Sequence, residues 1–451
     1  MRKFFALVLS IFLLLGCFAI VPQAAPAEAS APFRVVSTFY GEGAQGFHWY
    51  TEEKCASEVV IGGQTYTGCS KKFQGYYAHS VVAKDLVPGT AYTYKIGDFT
   101  GTFKTDPGRD VPVNFIVNTD VQASDPEGFA YSAATVNAAW ERFPNAAFDA
   151  ILGDFNNHCD NIEWDMYFDA FQSNHAKGPL VPIAGNHDGD GKLNWFRSMF
   201  TLKEQRNMTN LSGVYYSFDY GDAHIAVLNT NDVYSMSMPQ RHWLINDMKQ
   251  TGAKWKLVFM HRGPYSAGAG ARKFEVFLMR RALLPIFDDL GIDLVMYGHD
   301  HQYYRSQPVK GDKPVGAASQ SGTTNNMSYV DPKGTIYILP GAACDKRYGI
   351  NVQRLPCVSE CAAVHEEPGF PMFSHIEING GTLTYEAYTY DPEAGESELY
   401  DTITLQKTQF SQPGPKYRPL LTDYVTTLPK YLWHLVGELI GAFSDNKQLG
   451  K

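Results

Sequence analysis

Positive charge is in short supply. The 451 residues hold 38 Lys and Arg against 47 Asp and Glu, a formal net charge of −9. Without a basic field there is nothing to hold a polyanion, so nucleic acid is disfavoured as an obligate partner. Internal repeats and low-complexity tracts are also missing, which removes repeat arrays and long disordered linkers as architectures. Long apolar runs do not occur beyond the first residues of the chain. Near the other end, Leu420 to Phe443 carries Leu428, Leu432, Leu435, Val436, Leu439 and Ile440 at amphipathic helical spacing, but Pro429 interrupts it. The uninterrupted part is too short and too polar to span a bilayer, which needs about 20 apolar residues.

Cysteine is sparse, seven in all, and its placement is informative. The N-terminus reads MRKFFALVLSIFLLLGCFAIVPQAAPAEAS: a basic start, an apolar run, then small residues with a cut expected after Ala29. Residues 1–29 therefore read as a secretory signal peptide and the protein as extracytoplasmic. Cys17 stands where a lipoprotein signal places its lipidated cysteine, but Leu15 is bulky for the position two before it, and simple secretion is the favoured reading. Membrane contact is expected only through a lipidated Cys17 or an interfacial C-terminal helix. The remaining six, Cys55, Cys69, Cys159, Cys344, Cys357 and Cys361, are an even number in an exported chain, which argues for disulfides. Cys55 with Cys69 is the expected pair, because the two lie close together in one small domain.

Residues 33–106 read as short alternating strands separated by Gly and Pro turns, a small antiparallel sandwich. After TDPGRDVP the pattern changes to apolar strands alternating with helical segments expected at 130–143, 162–175, 192–200, 239–250 and 273–289. That is an α/β layout with largely buried strands, over 111–408. Residues 413–451 read as a linker and the amphipathic helix.

Five apolar strands each end in a residue able to bind a metal: FIVNTD at Asp120, AILGD at Asp154, VPIAGNHD at Asn186, LVFMH at His261, and LVMYGHDH at His299 and His301. Taken singly, each has a bland explanation as a helix cap, turn residue or surface histidine. Together they fall where ligand sites of open α/β sheets gather, at the C-terminal ends of strands. His299 and His301 add geometry. In an extended segment residues i and i+2 share a face, about 6.6 Å apart. That spacing is awkward for one ion and suits two ions roughly 3.5 to 4 Å apart, each taking one ring.

In order, Asp120-Val121-Gln122, Gly153-Asp154, Gly185-Asn186-His187-Asp188, His261 and Gly298-His299-Asp300-His301 resemble the five motifs of the calcineurin-like metallophosphoesterases. The leading sandwich and HRGPYSAG resemble the purple acid phosphatase branch, whose catalytic domain follows a fibronectin-type sandwich. The resemblance implies a four-layer α/β/β/α sandwich and hydrolysis of small phosphate monoesters by a metal-bound hydroxide. It also implies two ions from Zn, Mn or Fe: Asp154 bridging, Asp120 and His301 completing one site, and Asn186, His261 and His299 the other. His187 would protonate the leaving alkoxide or stabilise the phosphoryl oxygens. Asp188 would orient that imidazole or cap a helix, and Arg262 would contact a phosphate oxygen or form a surface ion pair. Purple enzymes carry a tyrosine where this chain has Asn157, so a ferric-tyrosinate form is not expected. Gln122 replaces a His or Gly, and either amide would coordinate weakly or hold a water. Two rival functions stay open at this point: a phosphodiesterase acting on nucleotides or lipid headgroups, and a binding or adhesion module with a vestigial site.

Overall fold

The computed structural model describes residues 30–189, 193–203, 214–231, 238–266, 268, 271, 273–350 and 360–414. The leader with Cys17 and the amphipathic segment from Leu420 lie outside them.

Residues 33–104 form two layers of strands. One holds Phe33–Gly41, Ala44–Thr51, Tyr76–Ala83 and Cys69–Phe73; the other holds Gln64–Thr67, Glu58–Ile61, Ala91–Ile96 and Phe99–Lys104. Alternate residues point inward, so Val35, Phe47, Trp49, Val59, Ile61, Tyr94 and Phe103 fill the space between the layers. The first layer is not self-contained. Thr38 pairs in parallel with Leu180, which makes these strands the end of a 12-stranded sheet running through the rest of the molecule. The join is reinforced by Arg34 against Asp165 at 2.7 Å, and by Gln172, whose amide accepts from Val35 N at 2.9 Å and donates to Val35 O at 2.7 Å. An edge that would otherwise present unpaired backbone groups is thereby covered.

Within the 12-stranded sheet, Val113–Asn118, Asp149–Ile151 and Leu180–Pro182 run parallel. A second, 7-stranded sheet holds four parallel strands: Ala223–Val227, Trp255–Arg262, Leu294–Gly298 and Ile336–Pro340. Their side chains are buried on both faces, which is why these segments read as continuous apolar runs. Phe115, Val117, Leu152 and Ile183 of the first sheet meet Ile225, Leu257, Phe259 and Met296 of the second. Ile116 and Ile151 face the other way, against helices Pro126–Arg142 and Asn161–His175. Val258 and Val295 likewise face helices Met238–Gln250 and Phe274–Leu290. The result is the expected four-layer α/β/β/α order.

Helix starts differ from the periodicity by up to four residues, because caps rather than apolar spacing set them. Asp125 accepts from Gly128 N at 2.8 Å with Pro126 opening the first helix, and Asp160 accepts from Glu163 N at 2.9 Å at the second. The two sheets are tied by a buried charge pair. Arg305 donates to both oxygens of Asp401, at 2.6 and 3.1 Å, and the Tyr303 hydroxyl donates to the same carboxylate at 2.5 Å.

The Cys55–Cys69 bridge is not formed; both thiols are unpaired. Directly opposed residues of an antiparallel ladder share a face and successive residues alternate. Cys69 opposes Ser80, whose hydroxyl bonds Thr201 at 2.8 Å. The Cys55 thiol lies 3.9 Å from His79 Nε2, on the face Ser80 does not share. Proximity in sequence therefore did not bring the two sulfurs to one face.

One buried histidine makes stability pH-dependent. His224 lies between Asp219 and Asp247, each at 2.7 Å. Burial opposes its charge, but hydrogen bonds to the two carboxylates outweigh burial and raise its pKa from 6.5 to about 9. A raised folded-state pKa contributes stability that is complete below the unfolded value and lost as pH rises through the folded one. The thermal-stability advantage of the wild type over His224→Gln should therefore be constant below pH 6.5 and decline to nothing as pH rises through about 9. An advantage that grows with pH in unfolding scans would contradict the assignment.

Candidate metal centre

All the residues singled out at strand ends arrive at one seam between the two sheets. His261 lies within strand Trp255–Arg262, while the others follow their strands through turns rather than by extension of them. Asp120, Asp154, His299 and His301 adopt left-handed backbone, with φ of 51°, 55°, 83° and 43°. Such φ values are uncommon outside glycine and persist where surroundings hold them. Two glycines permit the approach. A Cβ on Gly185 would lie 2.1 Å from Asp154 Oδ1, and one on Gly298 would lie 2.0 Å from Thr119 Oγ1 and 2.6 Å from Asp120 Oδ2. The extended i, i+2 geometry expected for His299 and His301 is thus not how they are placed. The strand ends at Gly298, and two left-handed turns send the rings to different partners.

The donors fall into two adjoining groups. In one, His301 Nε2 lies 3.3 Å from Asp120 Oδ1 and 3.2 Å from Gln122 Nε2. Asp120 is held by the Thr119 hydroxyl at 2.7 Å and by His299 N at 3.1 and 2.9 Å. In the other, the donor atoms of Asp154, His261 and His299 all lie within 4.8 Å of one another. His261 Nε2 is 3.1 Å from Asp154 Oδ2 and 3.1 Å from Asn186 Oδ1. His261 Nδ1 donates to Leu152 O at 2.8 Å and His301 Nδ1 to Lys346 O at 3.2 Å. Both rings therefore turn Nε2 to the carboxylates, the orientation a metal-binding histidine needs.

Electrostatics follow from burial. Asp120 and Asp154 are 0% and 1% exposed. Burial favours their neutral forms, yet the facing imidazoles win: His301 holds Asp120 below its ordinary value and His261 brings Asp154 down to about 2. The reciprocal effect carries His261, despite its own burial, up to about 9 and His301 well above the ordinary histidine value. His299 has burial and the charges of His261 and Arg262 against it and falls to about 2, which favours its neutral form. Nitrogen and oxygen donors without thiolate, with carboxylates demanding a cation, fit Zn, Mn or Fe. The Cys344 thiol is 3.7 Å from His301 Nδ1, on the side of the ring away from Asp120.

The remaining candidates divide. His187 borders a cavity of about 450 Å³ together with Gln122, Asp154, His299 and His301. Its Nδ1 donates to Asn157 O at 2.8 Å and its backbone N to Asp154 Oδ1 at 3.0 Å. Asp188 neither orients that ring nor caps a helix. Its carboxylate, fully buried, accepts from Gly185 N, Asp154 N and Phe155 N at 2.6, 2.8 and 2.7 Å, closing one ligand loop on the other. Arg262 places Nε 3.4 Å from Asn186 Oδ1. The Asn157 amide is committed on both sides, donating to Ser124 Oγ at 2.6 Å and accepting from Lys346 Nζ. The Gln122 carbonyl oxygen, in a residue 1% exposed, has no hydrogen-bond partner among the described residues. Tyr265 and Tyr297 pack in the helix-side core. The tyrosine at the cavity is Tyr348, its ring stacked 4.4 Å from that of His301. Sequence reasoning missed Lys273, Arg347 and Tyr348, which also line the cavity. A signal was present for two of them: Ile336–Pro340 is a further parallel strand, and GAACDKRYG follows its end.

This is the mixed α/β fold of the metallophosphoesterases. Residues 113–303 match the family model for calcineurin-like phosphoesterases. The chain is similar to acid phosphatase type 7 of Homo sapiens, 24% identical over 369 residues that cover 71% of this chain and 80% of that protein. It is 26% identical over 279 residues to purple acid phosphatase 21 of Arabidopsis thaliana, covering 58% and 57%. An uncharacterized protein of Mycobacterium tuberculosis is 27% identical over 328 residues; the match covers 63% of this chain and spans 61% of that relative's length. In structure the chain resembles purple acid phosphatase PPD1 from yellow lupin seeds, with a TM-score of 0.70 at 16% identity, covering 84% of this chain and 75% of that one.

Because Asp188 serves the backbone, Asp188→Ala strands three buried N–H groups. Each such group costs about 1–3 kcal/mol. The variant should lose thermal stability and bound metal together, whereas His187→Ala should keep both. An Asp188→Ala protein as stable as wild type in calorimetry would refute the clamp.

Proposed function

We propose that this protein is a secreted, dinuclear metal-dependent phosphoesterase that hydrolyses small phosphate monoesters. Residues 111–408 are the catalytic unit, the 33–106 sandwich is a fibronectin-type domain, and 413–451 are a linker and helix. The carrying observation is the pair of adjoining donor groups, each built across the seam and each holding one buried carboxylate. Asp120, Gln122, Asp154 and His301 would hold one ion, and Asp154, Asn186, His261 and His299 the other. Gln122 rather than Asn157 is the amide at hand, since only its oxygen is uncommitted. Two such ions supply a nucleophile from water at neutral pH and offset charge on the phosphoryl oxygens.

The chain's own residues do the rest. The Asn157 carbonyl only accepts, so His187 keeps its proton on Nδ1 and turns Nε2 to the cavity. When the ring also carries a second proton, on Nε2, that proton can pass to the leaving alkoxide oxygen and leaves the neutral Nδ1–H form behind. Lys273 and Arg347 add positive charge at the cavity wall for an anionic substrate.

Purified protein should hydrolyse monoesters faster than diesters when loaded with Zn, Mn or Fe, and a chelator should abolish turnover. Faster diester cleavage would move the assignment to a phosphodiesterase, and bound metal with no turnover would move it to a binding module. His187→Ala should retain metal and lose about 10²- to 10⁴-fold in kcat, less with an activated aryl leaving group. A loss explained by missing metal would remove His187 from the chemistry. Iron-loaded, oxidised protein should show no strong visible band, because a neutral amide stands where a phenolate would donate charge. A band that survives Asn157→Ala would mean that another tyrosinate coordinates.

A further inference from the structure

Lys346 reaches two parts of the centre at once. It lies in the loop after strand Ile336–Pro340, and its main-chain carbonyl accepts from His301 Nδ1 at 3.2 Å. Its ammonium, half-buried, donates to the side-chain oxygen of Asn157. Asn157 belongs to the loop after Asp154, on the opposite sheet, and its own carbonyl receives His187 Nδ1 at 2.8 Å. The Asn157 residue is further held through its backbone N by Glu163 Oε2 at 2.7 Å and through its amide N by Ser124 at 2.6 Å. One residue therefore links the ring of His301, through its carbonyl, to the residue whose carbonyl orients His187, through its ammonium. A lysine this close to a metal centre would ordinarily be expected to face the substrate or a carboxylate. Here it spends its charge on a neutral amide, a charge-assisted bond whose effect is geometric.

We propose that Lys346 is a positioning residue for proton transfer: by clamping Asn157 it holds the carbonyl that sets the ring of His187, in register with His301. The proposal rests on the phosphoesterase reading for its kinetic consequence but not for its structural one. Ring orientation matters most when the leaving oxygen needs a proton, because proton delivery requires hydrogen-bond distance to it. Small misplacements carry large rate effects, about 10²-fold for roughly 1 Å. Loss of the clamp should therefore act on kcat for poorly activated alkyl esters, spare activated aryl esters, and leave KM and metal content alone.

The test compares the full-length, Zn-loaded wild type with Lys346→Met and Lys346→Arg on an alkyl and an aryl phosphate. Lys346→Met should lose about 10- to 10²-fold in kcat on the alkyl ester, and well under that on the aryl ester, with KM and zinc content unchanged. Lys346→Arg, which keeps a charged donor, should recover part of the loss. Lys346→Gln serves if the methionine variant does not fold. Equal losses on both esters would overturn the proposal as a general structural effect. A raised KM with unchanged kcat would overturn it in favour of direct phosphate contact, and wild-type kinetics throughout would overturn it outright. A second readout is independent of turnover: ¹⁵N-histidine spectra of the Zn form should show a protected Nδ1–H on His187 that is lost in Lys346→Met. An unchanged signal would refute the clamp. If the wild type hydrolyses no ester, the functional reading fails while this spectrum still decides the clamp.

Discussion

Two buried carboxylates, Asp120 and Asp154, constrain the rest of the molecule. Both are almost wholly buried, and an isolated buried carboxylate is costly to keep charged. Thr119 and His187 N of their own sheet's loops help, but the larger compensation comes from the other sheet. His301 and His261 cross from the second sheet and set their Nε2 atoms against the two acids, which favours the carboxylate forms. The two sheets must consequently meet in one register. The apolar core between them supplies the adhesion, and the Arg305–Asp401 pair with Tyr303 supplies a second polar tie far along the same interface.

The same constraint explains the backbone. Apolar strands end one after another at the seam, but a strand cannot deliver a side chain past its own last residue in arbitrary directions. Left-handed turns at Asp120, Asp154, His299 and His301 do this, and glycines at 185 and 298 let the turns pack against one another. Asp188 then fastens two of the loops by their amides, and carbonyls of Leu152, Asn157 and Lys346 aim three imidazoles. Strained local geometry is maintained by hydrogen bonds that are themselves buried, so stability of the loops and chemistry of the site share the same atoms.

Beyond the seam, the leading strands do not form a separate body. Thr38 against Leu180, Arg34 against Asp165 and Gln172 against Val35 weld them to the edge of the large sheet. The loop after Ile336–Pro340 contributes in another way. It places Arg347 and Tyr348 at the cavity and Lys346 behind the histidines, so the shape of the cavity depends on a segment that carries none of the proposed metal ligands.

The sequence by itself determined the alternation of buried strands with helices and the candidate donors at strand ends, while the four-layer order was implied by the family resemblance. Buried parallel strands must be apolar on both faces, and that signal is local. Six donor residues at successive strand ends are likewise a linear pattern. What lay beyond it depended on side chains meeting across long separations. Whether Cys55 and Cys69 share a face turned on which neighbour, His79 or Ser80, each sulfur follows, and the ladder placed them on opposite sides. Asp188 sits beside His187 in the chain, but its carboxylate is claimed by three amides, two of them more than thirty residues away. His299 and His301 were legible as members of one site, although left-handed turns rather than strand alternation place their rings. The strand-end position of GAACDKRYG did not say what Lys346 would bond, because its partners are an amide 189 residues earlier and a histidine 45 residues earlier. Local periodicity fixes which face a residue takes within one element; only the docking of two sheets decides which polar atoms are left to find one another.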